Sequence, residues 1–237
     1  MTDALFLTSE AVDDLATPAD YVAAVRDGYR EVGEGAPAEP RTLLPSGDPP
    51  GMLTTYVAML PEVGAMGGYT YAAGFAERDA WFLTPLFDAE TGEPLAVIDG
   101  ASMNPFKTGA AGAVAVDALA RPDASTVAVI GSGPQARGQL RTTATVRDLT
   151  GVRVFSPTPA NRESFADEFA ERLDADVTAV SSASAALAGA DIVITATTAS
   201  EPVIADADVE PGAHVTAMGQ YAADKHELPP ELVARAT

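Results

Sequence analysis

Apolar positions follow two different spacings along the chain, and the change comes near residue 104. In the first part, Ala4–Leu7 reads as a short strand, and Thr8-Ser9-Glu10 behind it is a helix-start signal. Pro18-Ala19-Asp20 opens a second helix that runs to about Glu31, with Tyr21, Val25 and Tyr29 on one face. GEGAPAEPR (33–41) is a loop by its glycine and proline content. GMLTTYVAML (51–60) and GGYTYAAGF (67–75) have strand character. AWFLTPLFDAETGEPLAVIDG (80–100) reads as a hairpin, two apolar runs around Asp88–Gly92. These elements predict an α+β unit with a mixed or antiparallel sheet.

From Asn104 the pattern becomes regular. Asn104 is placed to cap and Pro105 suits a first helical position, so NPFKTGAAGAVAV predicts a small-residue helix running to about Ala120. STVAVIG (125–131) is a continuous apolar run of the kind a parallel strand needs when both sheet faces are covered. A helix follows from about Gln135 to Arg147, a strand at 152–156, a helix from about Ala160 to Arg172, and a short strand at 177–180. After a helical turn at 183–187, DIVITAT (191–197) and HVTAMG (214–219) are two further buried strands. Such strand–helix alternation predicts a Rossmann-type doubly wound parallel sheet. The expected division is residues 1–106 as an α+β unit and 107–237 as the α/β unit.

One motif in the second unit carries chemistry. Gly131-Ser132-Gly133-Pro134-Gln135-Ala136 fits G-x-G-x-x-G/A between a strand and a helix. Gly131 makes the tight turn, Gly133 lets the backbone approach a pyrophosphate, and Ala136 allows close helix–strand packing, with Pro134 and Gln135 at the helix N-terminus. The competing reading is a plain glycine turn without a cofactor. An NAD-type site usually has an acid about twenty residues on. Here Ser156 and Thr158 stand in its place with Arg162 just beyond, so a ribose 2′-phosphate fits better and NADP(H) is favoured over NAD(H). Arg162 is otherwise a solvated helix-start residue. Thr197 ends one late strand, and Met218 and Gly219 end the next, at the carboxyl edge where ligands bind in such sheets. Turn chemistry alone is the alternative for both.

Composition narrows the classes. There are 34 acidic against 14 basic residues, a formal net charge of −20, dispersed along the chain. That field disfavours nucleic acid and anionic membranes as partners. Dispersed acids, with arginine preferred to lysine, fit a halophilic cell, where salt screens the self-repulsion. No apolar run is long enough to span a membrane, and the N-terminus lacks a basic region followed by an apolar one. The absence of cysteine excludes disulfides and thiolate catalysis, leaving a cytoplasmic location as the expectation. Lys107 and Lys225 are the only lysines, and Lys107 stands where the small-residue helix begins.

VAVIGSGPQARGQL, preceded by KTGAAGAVAVDALARPD and followed by ALAGADIVITATTASEPVI and PGAHVTAMG, resembles the ornithine cyclodeaminase and mu-crystallin family. GYREVGEGAPAEPRTLL and LFDAETGEPLAVIDG resemble that family's N-terminal domain, so the likeness covers essentially the whole chain. The resemblance implies a homodimer with an N-terminal substrate and dimerisation domain and an NAD(P)-binding Rossmann domain. It also implies hydride transfer between nicotinamide and the α-carbon of a small amino or imino acid substrate, through an iminium. In a cyclodeaminase the side-chain amine attacks the imine; in a dehydrogenase water does; a ketimine reductase runs the reduction alone.

Roles carry over by position. Arg41 matches the family's carboxylate-binding arginine. Lys107 matches a position where the family usually has arginine, keeping the charge but losing the bidentate fork. Tyr69 falls where the family usually has a catalytic or substrate-binding lysine, and Tyr221 where a cyclodeaminase has its acidic proton acceptor. Lys107, Tyr69 and Tyr221 are the candidate catalytic residues, with Arg41 and Lys107 on the substrate carboxylate. Asp224, His226 and Glu227 are near enough in sequence to replace the acid, against the reading that an acidic loop is simply solvated. His214 is expected to be structural. Family members also continue past ELPPELVARAT, which implies a truncated or short member. The alternative to an enzyme is a non-catalytic NADP(H)- or ligand-binding homologue with a degenerate substrate site.

Overall fold

Alternating side chains over residues 38–99 resolve into long paired strands, and the continuous apolar runs after residue 125 into short buried ones. The computed structural model describes residues 4–75, 80–220 and 224–237. It divides into two units, Met1–Asn104 and Pro105–Thr237, against the expected division after residue 106.

In the first unit, β1 (Leu5–Leu7) is followed by α1 (Ser9–Asp13) and α2 (Pro18–Gly33). Thr17 and Asp20 form a capping box at the start of α2: the Asp20 N–H donates to Thr17 Oγ1 at 3.3 Å, and the Thr17 N–H to Asp20 Oδ2 at 2.8 Å. The buried positions of α2 are Val22 and Glu31, whereas Tyr29, expected on the packed face, is exposed. Then come β2 (Ala38–Gly47), β3 (Pro50–Leu60), β4 (Ala65–Ala73), β5 (Ala80–Asp88) and β6 (Pro94–Asp99). They form a six-stranded sheet in the order β1-β6-β5-β4-β3-β2. The pairs are antiparallel except β1 with β6, so the sheet is mixed.

The loop expected over 33–41 is shorter than the sequence suggests, because β2 already begins at Ala38. Pro40 is tolerated there because β2 is the edge strand and its register shifts between Glu39 and Thr42. Paired residues share a face. One face carries Tyr56, Tyr69, Tyr71 and Phe82; the other carries Leu53, Val57, Met59, Trp81 and Leu83, all exposed. The second face holds a concave groove of about 710 Å³ lined by Val57, Met59, Met66, Thr70 and Phe87.

The second unit has the predicted doubly wound form. After α3 (Met103–Leu119) come β7 (Thr126–Ile130), α4 (Pro134–Thr143), β8 (Gly151–Phe155), α5 (Pro159–Ala170), β9 (Asp176–Ala179), α6 (Ala183–Leu187), β10 (Ile192–Thr195), β11 (His214–Ala217) and α7 (Pro230–Arg235). The sheet is parallel throughout, in the order β11-β10-β7-β8-β9. The chain runs outward from β7 to β9 and returns to β10, which puts the topological switch between β7 and β10.

Both faces are covered, which explains the unbroken apolar runs. Val127, Val129, Ile192 and Ile194 pack with Leu140, Phe165 and Phe169 on one side. Ala128, Ile130 and Val193 pack with Leu187 and Leu232 on the other. The small residues of α3 have a packing reason: a Cβ on Gly109 would strike Gly138 O, and one on Gly138 would strike Pro105 O. Helices α3 and α4 thus approach backbone to backbone. Arg147 closes the end of α3, donating to Val116 O at 3.0 Å and Asp117 O at 3.1 Å and pairing with Asp117 Oδ1 at 2.8 Å.

At the amino edge of the sheet, Asp191 accepts from the Ser125 and Thr126 N–H groups, each at 3.0 Å, and pairs with Arg121. Burial alone would raise this carboxyl's pKa, but those hydrogen bonds outweigh it and hold the group down to about 2.

Candidate functional site

The carboxyl edge of the second sheet is where the sequence-predicted cofactor residues gather. Gly131 follows β7 with φ +116°, and a Cβ there would overlap Ala196 O, so glycine is required on both counts. Its N–H donates to Phe155 O at 2.8 Å. The Ser132 hydroxyl donates to Ser156 Oγ at 3.0 Å, tying the glycine loop to the end of β8. Gly133 is the N-cap of α4, in extended backbone and with no side-chain cap. Among the described residues a Cβ on it would meet nothing within 4 Å, so there is free space at the helix N-cap. Pro134 has no N–H to satisfy, and the remaining first-turn N–H groups lack intrahelical acceptors. Gln135 Oε1 is buried without a hydrogen-bond partner among the described residues. Ala136 is fully buried at the helix–strand contact. An uncapped, positively polarised helix end facing open space fits a pyrophosphate.

At the end of β8, Ser156 is buried and Thr158 is the exposed N-cap of α5, with no side-chain cap bond. Arg162 lies over the Phe155 ring at 5.9 Å and donates to Ser156 O at 2.9 Å. One guanidinium nitrogen is therefore anchored on backbone while the side chain stays part-exposed beside Thr158.

The ends of β10 and β11 carry Thr197, Met218 and Gly219. The Met218 N–H donates to Thr195 O at 3.1 Å, continuing the ladder. Beneath them lies a residue whose sequence context suggested solvent: Glu227 is only 2% exposed. It accepts from the Thr197 N–H at 2.6 Å, the Gly219 N–H at 2.7 Å and the Thr195 hydroxyl at 3.1 Å. The solvated reading fails for Glu227, although Asp224 and His226 are exposed. Nothing in DKHELPP distinguishes these acids by spacing. The difference arises because the segment returns beside Val203, whose N–H donates to Glu227 O at 2.9 Å. His214 begins β11 at the opposite edge, bonded to Thr216 Oγ1 at 3.0 Å, its pKa lowered by burial and then by Arg147. Tyr221 lies outside the described residues.

Lys107 stands in α3, which begins at Met103 rather than at the expected Asn104–Pro105 boundary. Burial holds its ammonium pKa down to about 8. Asn104 is consequently inside the helix, and its side chain does not serve as the expected cap; Asn104 Oδ1 accepts from Tyr69 OH at 2.9 Å.

Tyr69 is 9% exposed, stacked between Tyr56 at 5.5 Å and Phe82 at 5.6 Å. Burial first, and then Tyr56, Tyr71 and Asp99, raise its pKa well above that of an ordinary phenol, so it is neutral and no base. Tyr56 is likewise pushed up to about 12 by burial. Arg41, exposed on β2, donates to Tyr71 OH at 3.4 Å. The first unit therefore brings Arg41 to the border of an aromatic cluster that contains Tyr69.

A family model described as "Ornithine cyclodeaminase/mu-crystallin family" matches residues 2–237. A Δ1-pyrroline-2-carboxylate reductase of Bacillus cereus is 35% identical over 151 residues, 64% of this chain and 46% of that protein. The chain thus spans about half the length of such relatives. Among solved structures, Thermococcus litoralis Δ1-pyrroline-2-carboxylate reductase in complex with NADH and L-proline superposes with a TM-score of 0.91 at 29% identity, covering 98% of this chain and 74% of that one. An archaeal alanine dehydrogenase dimer with bound NAD gives 0.90 at 28% identity, covering 98% and 72%.

Proposed function

Because the chain belongs to the ornithine cyclodeaminase/mu-crystallin family, we propose that it is an NAD(P)-dependent oxidoreductase acting at the α-carbon of a small amino or imino acid. The observation that carries this reading is the uncapped start of α4, with Gly133 opening onto free space at the carboxyl edge beside the topological switch. When bound, a nicotinamide supplies a two-electron hydride donor or acceptor. The protein's part is to bind and orient. Gly131, Gly133, Pro134, Gln135 and Ala136 receive the pyrophosphate; Thr197, Met218 and Gly219 border the nicotinamide side. Lys107 and Arg41 are assigned to the substrate carboxylate by their family positions.

The cofactor preference is NADP(H). Ser156, Thr158 and Arg162 offer hydroxyls and a guanidinium at the end of β8 where an acid would repel a 2′-phosphate. Arg162→Ala is expected to weaken NADPH binding far more than NADH binding, measured by fluorescence titration of both.

A homodimer is the proposed assembly. The face carrying Leu53, Val57 and Trp81 is apolar and exposed, and a structural neighbour is described as a dimer. The acidic surface suits high salt, so assays belong in concentrated KCl.

The competing reading is binding without turnover. It is favoured by Tyr69, a neutral and hydrogen-bonded phenol where the family usually has lysine. NADPH oxidation with a panel of cyclic imino acids, and with keto acids plus ammonia, decides between them. Absorbance loss with any member supports the oxidoreductase. Saturable cofactor binding with no turnover on the whole panel, and none with amino acids and NADP⁺ in reverse, supports the binding protein.

A further inference from the structure

Resting on the cofactor reading above, we infer that Glu227 is a positioning residue for the nicotinamide half of the dinucleotide. The pyrophosphate loop follows β7, and the adenosine-side residues Ser156, Thr158 and Arg162 follow β8, on one side of the switch. The remaining half of a dinucleotide bound across that crevice falls towards the ends of β10 and β11. Two turns there, at Thr197 and Gly219, supply the backbone that meets it. Both are held from beneath by one buried carboxylate. Oε1 takes the Thr197 N–H at 2.6 Å, while Oε2 takes the Gly219 N–H at 2.7 Å and the Thr195 hydroxyl at 3.1 Å.

Gly219 is part of the device. A Cβ on it would crowd Glu227 Cδ at 2.6 Å and also strike Thr197 O, so the two turns close on the carboxylate with no room for a side chain. A glutamine cannot replace this glutamate. Whichever way its amide is turned, an NH₂ faces one of the two backbone N–H donors, and that turn is released. The adenosine side does not depend on this contact.

The test compares wild type, Glu227→Gln and Thr195→Val, each checked for folding by circular dichroism and melting temperature. The affinities measured are for the intact reduced dinucleotide and for the matching fragment without nicotinamide, 2′-phospho-ADP-ribose for NADPH or ADP-ribose for NADH. Glu227→Gln is expected to weaken the dinucleotide about tenfold and leave the fragment within about twofold. Thr195→Val, which removes one donor and keeps the carboxylate, should show a smaller shift of the same kind. Equal losses for both ligands, or no loss for either, would overturn the inference. Should Glu227→Gln fail to fold, Thr195→Val decides alone, an unshifted dinucleotide affinity counting against it. Wild type binding neither ligand would instead overturn the cofactor reading itself.

Discussion

Lys107 shows how a single residue's surroundings set a testable pH dependence. Its ammonium is desolvated, which favours the neutral amine and lowers the pKa to about 8 from the ordinary 10.5. A carboxylate is held only by the charged form. With Lys107 on the substrate carboxylate, as proposed, substrate affinity should be constant below that value and fall about tenfold per pH unit above it. Lys107→Arg should abolish this alkaline loss, because a guanidinium stays charged through the range; KM against pH for both proteins checks it. At this scale the sequence was informative where geometry imposes residue type. Gly131 needs positive φ, and Ala136 is fully buried in the core beneath α4. It was uninformative for Glu227, whose burial depends on where a distant segment folds back.

Among the elements, the α3–α4 contact explains the run of small residues in NPFKTGAAGAVAV. Gly138→Ala would place a methyl against the carbonyl of Pro105, backbone that cannot rotate away. It should destabilise the protein by about 1–3 kcal/mol, read from the shift in denaturation midpoint at unchanged slope. The parallel strands and their order of helices were readable because both-sided burial leaves continuous apolar runs. The edge strand β2 was not, since Pro40 and its neighbouring glycines carry a loop signature that a bulge overrides. Tyr29 is exposed for a related reason: helical spacing defines a face of α2 but not which neighbour covers it, and the buried positions are Val22 and Glu31, whose Oε2 accepts from the Glu62 N–H at 3.1 Å.

For the whole molecule, a sheet face with Trp81 60% and Leu53 and Val57 each 47% exposed calls for a covering surface. A second copy predicts a particle of twice 24.3 kDa by light scattering in high salt, and Val57→Glu should convert it to the single chain. Retention of the dimer in that variant would move the interface elsewhere. The mixed sheet and the parallel, doubly wound sheet were visible in the sequence because both rest on local spacing. What covers the exposed face of the first sheet is not written in one chain's pattern, which records it only as surplus apolar surface.

The central claim, that the start of α4 receives the pyrophosphate of a nicotinamide dinucleotide, is tested most directly by calorimetric titration of wild type and Gly133→Asp with NADPH. The backbone at Gly133 accepts a side chain and, among the described residues, its Cβ meets nothing within 4 Å, so the variant is expected to fold, as circular dichroism checks. Its carboxylate, however, projects into the space assigned to the phosphates. Saturable binding by wild type and a loss of about a hundredfold or more in the folded variant are the predicted result. Equal affinity in the two proteins, or no binding by wild type, would contradict it.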